Sequence, residues 1–461
     1  MFIFMKKKII SAVIASVLFI TSVISMTSCG NRGKHVSAKI GVLRGDASSE
    51  EALAWAAYLK SLSSEMGVEI DFSSELNSAD EELAAVQNYA SLGYNGLIVM
   101  TSYNPTNIIK NCENYKMFSV IGAAHPDFED SENALVKDEN VIIKDYSDYS
   151  YYVGATGPSN YGEVLSGYQM GKAAVSRGYT QYSVFTGSAA YGQPMHALRI
   201  AGFFIAMYDD DPTVTYGGIE CKRENWKEIA LQIEKDLGVN LSSFKSEKYS
   251  ILAQAGGYSF LQGDTAAVAT VVQLSSAAGV EAVFCAGCAD KVSSFAPDGS
   301  KCVYVGNDSL GSTFKTMFED GKLIFDIAKY NSYIGPAFAA LLKSIYKGEA
   351  VRIDGKPISV EQQSLQISSA SDYDTLDTVE NENGGYFFSS EFLSAYILET
   401  ELGKNESGVE KLTDSEFVKI CSLDCTLGEG GLYQTTKAIT NAYKDGGNKV
   451  FHFESASETN S

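Results

Sequence analysis

A strand that runs directly into a helix constrains this chain most, and residues 181–208 carry the clearest case. A short apolar strand at 182–185 passes through a Gly-containing turn (Thr186, Gly187, Ser188) into a helix over about 193–207. Parallel strands need a helical crossover between them, and in open α/β sheets ligands sit at the carboxyl ends of the strands. The helix carries Arg199, Gly202 and Phe203 in the spacing R-x-x-G-F. Arg199 lies about two turns into the helix, so its five-donor fork can reach a polar ligand across the loop mouth; the alternative is a solvated helix residue.

The same alternation fills most of the chain. Strands are expected at 38–43, 68–72, 97–100 and 117–121, with helices between them, the pattern of a parallel α/β sheet. The acidic, Tyr-rich stretch 127–152 reads as passage to a second unit, around a short strand at 141–144. There the alternation restarts, with helices over 160–177, 225–237, 262–279 and 333–346 and strands at 282–285, 302–306 and 322–329. Beyond Lys347 the pattern loosens: one or two strands in 352–367, loop over 368–385, and helices near 389–402, 414–421 and 432–443.

At 461 residues the chain exceeds one ordinary core, and its net charge of −21 lacks the basic footprint that nucleic acid requires. Lys6, Lys7 and Lys8 precede an apolar run at 9–24 and then Met26-Thr27-Ser28-Cys29, the layout of a secretory signal; a plain signal peptide or an N-terminal membrane anchor is the alternative. A Cys after small residues resembles a bacterial lipobox, with Met26 where Leu is usual, and the resemblance implies that Cys29 is lipidated. Seven further cysteines remain, an odd number that rules out complete intramolecular pairing. Cys285-Ala-Gly-Cys288 has no second pair, and buried free thiols are expected rather than a metal site.

Two successive α/β halves behind a lipoprotein signal resemble the type I periplasmic binding proteins, the solute-binding components of bacterial ABC transporters, in their sugar-binding branch. The resemblance runs from about Ala38 to Glu349. It rests on R-x-x-G-F after a T-G turn, on V-G-N-D at Val305-Gly306-Asn307-Asp308, and on Ala328-Lys329 with Ile334-Gly335. It implies two Rossmann-like lobes with parallel sheets, a three-crossing hinge, and a C-terminal extension. Residues 1–28 would be the lipoprotein signal and 29–37 a lipidated tether. The first lobe would hold 38–125 with about 330–350, and the second 150–329 with about 355–445, leaving 446–461 as a flexible tail.

The resemblance also places ligand-contacting groups at Arg199 and Asp308, whose planar fork and carboxylate suit vicinal hydroxyls. Lys329 falls where Gln often sits, and with Arg199 it would also suit a carboxylate or phosphate. Asp290 follows Cys288 where an Asn-Asp pair is common. From the first lobe Arg44, Asp46 and Ser102 are candidates, with Tyr103, Tyr191 and Trp55 as aromatic faces; Asp46 can instead cap the first helix, and Trp55 can be core. The implied partners are a small polar ligand, a sugar above all, an ABC permease, and the membrane through the lipid on Cys29. A monomer with neither cofactor nor metal is expected. A nucleoside-binding lipoprotein of the basic-membrane-protein type and a sensory binding protein are the alternatives. No G-x-S-x-G, H-E-x-x-H, Walker A or dinucleotide motif suggests an enzyme, although a carboxylate glycosidase needs none of them.

Overall fold

β1 (Lys39–Arg44) opens the first sheet as a buried run flanked by half-buried ends. The chain is described here from a computed structural model over residues 37–100, 103–124, 146–185, 193–236, 241–255, 265–287, 289–297, 299–309, 311–362, 364–378, 380–381, 386–399 and 412–422. α1 (Glu50–Met66) follows because Ser49 accepts a hydrogen bond from the Ala52 amide at its start and Gly67 turns left-handed at its end. Then come β2 (Glu69–Glu75), α2 (Ala79–Ser91) capped by Ser78, β3 (Gly96–Val99), α3 (Pro105–Tyr115) with Asn104 as cap, β4 (Phe118–Gly122) and β5 (Tyr152–Gly157). These strands pair in parallel in the order β2-β1-β3-β4-β5, each crossover carried by a helix or by the stretch after β4.

The second sheet is built the same way. α4 (Asn160–Val175), capped by Ser159, leads to β6 (Gln181–Phe185) and α5 (Gln193–Tyr208). A small antiparallel sheet, β7 (Thr215–Tyr216), β8 (Ile219–Glu220) and, after α6 (Trp226–Asp236), β9 (Phe244–Lys245), lies outside it. The main sheet continues with β10 (Ser250–Ala255), α7 (Thr265–Ala277), β11 (Ala282–Cys285), α8 (Ala289–Ser293), β12 (Val303–Ser309), α9 (Ser312–Glu319) and β13 (Leu323–Lys329). Its parallel order is β10-β6-β11-β12-β13.

α10 (Gly335–Lys347) then returns to the first sheet and packs on β3, β4 and β5. It is buried from Gly335 through Ile345, as an apolar helix enclosed on all sides must be. β14 (Arg352–Ile353) and β15 (Lys356–Glu361) extend that sheet, β15 pairing in parallel with β5. β16 (Leu365–Ile367) recrosses to lie antiparallel on β13. Up to β16 the chain thus passes between lobes three times, at 158–159, 330–334 and 362–364.

The lobe boundaries differ from the sequence reading at two strands. Tyr152–Gly157 and Lys356–Glu361 belong to the first sheet, not the second. The loop expected over 368–385 contains α11 (Ala370–Asp377), which Ser369 caps and whose Tyr373 and Leu376 are buried. α12 (Ser390–Leu398) and α13 (Asp414–Cys421) follow, and they pack on α10, α1, β14 and β15 of the first lobe rather than on the second. Lys343 of α10 anchors them: it is 2% exposed, 2.8 Å from Asp414 and 3.9 Å from the ring centre of Tyr396. Residues 125–145 and 423–461, and with them the strand expected at 141–144, the helix expected near 432–443 and the tail 446–461, lie outside the described residues.

The second crossing is held by Glu380, which is buried. Its carboxylate accepts from the Ser332 amide (2.7 Å), the Ser332 hydroxyl (2.8 Å) and the Phe387 amide (2.6 Å). Burial pushes the carboxyl up to about 7, although those three donors favour the ionised form. A carboxyl raised in the folded state stabilises most below its ordinary value near 4.5 and loses that contribution as pH rises through about 7. The expected loss is roughly 3 kcal/mol between pH 4.5 and 7.5 from the size of the shift. Urea unfolding of wild type and Glu380→Gln across this range checks it: the wild-type curve should fall more steeply, and parallel curves would refute the assignment.

Candidate functional site

The two lobes meet where the carboxyl end of β13 faces the first turns of α1. Lys329, the last residue of β13, holds its ammonium 5.9 Å from the ring centre of Trp55 and 6.0 Å from that of Tyr333. Those two rings stack at 6.3 Å with an interplanar angle of 15°, and the Trp55 indole N–H donates to the Tyr330 carbonyl at 3.1 Å. A cation over such a bed gains about 0.5–2 kcal/mol and is fixed in direction. Both rings are buried, so they support the site from beneath and Trp55 is also core.

One turn before Trp55 on the same helix stands Glu51, which keeps part of its surface open. Lost hydration raises its carboxyl, while the positive charges of Lys329 and Arg199 pull the other way. Asp46 and Glu163 add further negative charge to the same group. Sequence reasoning missed both Glu51 and Glu163. Each is an acid in the first turn of its helix, a position that reads equally well as favourable dipole chemistry.

Arg199 sits deeper than the sequence suggested, at 3% exposure. Its Nε donates to Glu163 at 2.6 Å and one Nη to the Ala286 carbonyl at 2.6 Å. Among the described residues the second Nη has no partner, which leaves one edge of the fork for a ligand. This placement depends on how closely α4 and α5 cross. A Cβ on Gly167 would fall on the Arg199 carbonyl, and one on Gly202 on the Val164 carbonyl and 2.6 Å from the Tyr168 amide nitrogen. The R-x-x-G-F spacing is a packing device: Gly202 admits α4, Phe203 stacks on Phe284 at 4.3 Å, and Arg199 meets its counter-ion.

The other expected residues divide. Asp46 orders the loop before α1, its Oδ1 accepting from the Ser48 and Ser49 amides at 2.8 and 3.2 Å, while Ser49 is the cap itself. Arg44 turns away toward β2, donating from Nε to the Ser73 carbonyl at 2.8 Å with its guanidinium 5.4 Å from the Phe72 ring centre. Tyr103 also lies on that side: its amide donates to Glu82 at 2.8 Å, and burial together with Glu82, Glu81 and Glu75 raises its phenol. Near it a hollow of about 520 Å³ opens between β2 and α2, lined by Asp71, Glu75, Glu81 and Tyr89 among others. Asp290 is half-buried in the first turn of α8. Asp308 lies on β12, with its side chain outside the described residues, as are Ser102, Tyr191 and Cys29 altogether.

Five described cysteines, Cys112, Cys221, Cys285, Cys302 and Cys421, are buried free thiols. Burial pushes Cys112 and Cys221 up to about 12, far from a reactive thiolate. Among the described residues no group of three or more His, Cys, Asp or Glu is placed to hold a metal, and no helix is long and apolar enough to cross a membrane.

No family model matches the chain, and no curated protein matches it either. Solved structures do. A galactofuranose-binding protein superposes with a TM-score of 0.51 at 14% identity, over 75% of this chain and 99% of its own. A protein from Mycobacterium smegmatis in complex with β-D-fucofuranose gives 0.50 at 15% identity, over 74% of this chain and 94% of its own. An ABC transporter periplasmic solute-binding protein from Actinobacillus succinogenes with bound D-allose gives 0.50 at 13% identity, over 73% and 99%. At such identities the likeness is one of fold. With two parallel α/β lobes, three crossings between them and neighbours of this kind, the chain has the fold of the type I periplasmic binding proteins.

Proposed function

We propose that this chain is an extracytoplasmic solute-binding protein that captures a neutral sugar between its lobes and delivers it to an ABC transporter permease. The observation that carries the reading is the charge balance between the lobes. Lys329 and Arg199 face Glu51, Glu163 and Asp46, so the protein's own carboxylates already answer its cations. An anionic ligand would meet uncompensated negative charge, whereas the hydroxyls of a neutral sugar find fixed donors and acceptors together. The sugar-bound neighbours of the same fold support this choice. Closure follows from contact with both lobes, because a ligand shifts the lobes only by its differential affinity for the closed state. Lipid on Cys29 tethers the protein to the outer face of the cytoplasmic membrane; loss of membrane association in Cys29→Ala checks that part.

A thermal-shift screen of neutral furanoses and pyranoses, sugar acids and nucleosides tests the ligand class. A neutral sugar should raise the melting temperature by mass action, by about 2.7 kcal/mol of stabilisation at a hundredfold excess over Kd. A shift with sugar acids or nucleosides alone would overturn the reading.

A further inference from the structure

The chain continues past the third crossing and touches both lobes again. α11 is fixed to the second lobe: Tyr373 donates from Oη to the buried Asp326 of β13 at 2.7 Å, and its ring meets Phe318 of α9 at 5.7 Å. Beside it Lys315 of α9 pairs with Asp374 at 2.5 Å. α12 is fixed to the first lobe, packed on α10 and α1, and the Tyr58 hydroxyl of α1 donates to the Phe388 carbonyl at 2.6 Å. Between these anchors Glu380, Phe387 and Phe388 lie against the second crossing and grip it. Besides the three bonds to the Glu380 carboxylate, Asn331 donates from Nδ2 to the Glu380 carbonyl at 2.6 Å. Phe387 and Phe388 close on the Tyr330 ring at 5.4 and 5.9 Å.

We propose that the described residues 370–378, 380–381 and 386–399 connect the lobes a fourth time, and that Glu380 is a positioning residue that sets the resting lobe angle by holding Ser332. Hinge motion is absorbed by dihedral changes in the few residues of the crossings. Ser332 lies in the middle of the second crossing, and both its amide and its hydroxyl are committed to a carboxylate that is itself held between two anchored helices. Turning that crossing breaks hydrogen bonds to a buried carboxyl group, a setting where such bonds are strongest. In the arrangement described the lobes touch, Thr313 of α9 donating to Glu50 of α1 at 3.2 Å. The extension therefore raises the free energy of parting them, so the unliganded protein rests near this arrangement, and entry and release of solute both pass through loss of this grip.

The test uses the full chain without added solute. Tyr373→Phe combined with Asp374→Lys removes the hydrogen bond and the ion pair of the second-lobe anchor while leaving Glu380 and Ser332 in place and keeping the ring against Phe318. A cooperative urea transition confirms that the variant folds. Ser332→Ala is the second variant and removes one donor at the crossing. Small-angle scattering should show a larger radius of gyration for both, and exchange at the residue 332 amide should quicken by about tenfold or more while amides in β6 and β3 keep their protection. An unchanged radius of gyration with unchanged exchange at 332 in either variant overturns the proposal. Because neither readout needs a ligand, that failure would leave the sugar-binding reading standing, and a failed sugar screen would leave this one standing.

Discussion

Arg199→Met should lower the unfolding free energy by about 3–5 kcal/mol, because it leaves the Glu163 carboxylate buried without its partner. The pair has side-chain exposures of 4% and 8%, and its contact is 2.6 Å. At that depth solvent does little to screen the lost interaction, unlike the exposed pairs elsewhere on this surface, which contribute about 0–1 kcal/mol. The Ala286 carbonyl also loses the donor that holds the β11 end to α5. Urea unfolding measures the effect. The double variant Arg199→Met with Glu163→Leu should recover most of the stability, since an apolar pair of similar volume avoids the cost of burying charge. If Arg199 holds the proposed sugar, this double variant should not recover binding, because the open guanidinium edge is gone. Recovery of both stability and binding would show that Arg199 is structural only. An Arg199→Met variant within 1 kcal/mol of wild type would contradict the buried geometry itself, given the usual scale of such losses.

Gly202→Ala is the second large effect, with an expected destabilisation of about 3 kcal/mol or more. On an exposed helix the same change would help, since alanine is favoured over glycine by about 1 kcal/mol. Here the new methyl group meets the Val164 carbonyl and the Tyr168 amide, which are backbone atoms and cannot rotate away. α4 and α5 must separate, and overpacking of that kind costs about 1–3 kcal/mol, sometimes more. Gly167→Ala meets the Arg199 backbone from the opposite helix, so the two substitutions strain one interface. Their double variant should cost less than the sum, because the helices part only once. Thermal or urea unfolding of the three variants decides this, and a stabilised Gly202→Ala would show that the helices do not cross so closely. The same separation would draw Glu163 from Arg199, so binding of the proposed sugar should weaken along with stability.

Of the candidate site, single residues could be named from the sequence, but their arrangement could not. Arg199 and Lys329 stand out in the sequence through their spacing after strand ends, and the structure brings both to the meeting of the lobes. Glu51 and Glu163 do not stand out, because an acid in a helix's first turn is ordinary. What gives them a role is a partner 36 residues away in one case and the end of β13 in the other. Arg44 and Asp46 are only two positions apart in one loop, yet they point to different neighbours, one to Ser73 of the outer strand and one to the cap of α1. No local pattern separates them, since β1 ends between β2 on one side and β3 on the other, and only that neighbourhood decides where each side chain finds a bond.

Local chemistry determined the elements: Ser49, Ser78, Asn104 and Ser159 start helices where a hydroxyl or amide oxygen can take an orphan amide, and continuous apolar runs make the buried parallel strands. The sequence by itself therefore carried the two-lobe α/β class. Tertiary structure decided which lobe each late strand joined. Lys356–Glu361 completes the first sheet because β5 offers it an open edge, and Leu365–Ile367 completes the second because β13 does. The partners lie far apart in the chain, Gly154 opposite Ile358 and Asp326 opposite Ile367, and are chosen by which edge remains unpaired, a property of the assembled sheet rather than of any stretch of chain. The polar segment with Glu380 was unreadable for the same reason: its carboxylate has meaning only where three donors from the hinge and the extension converge.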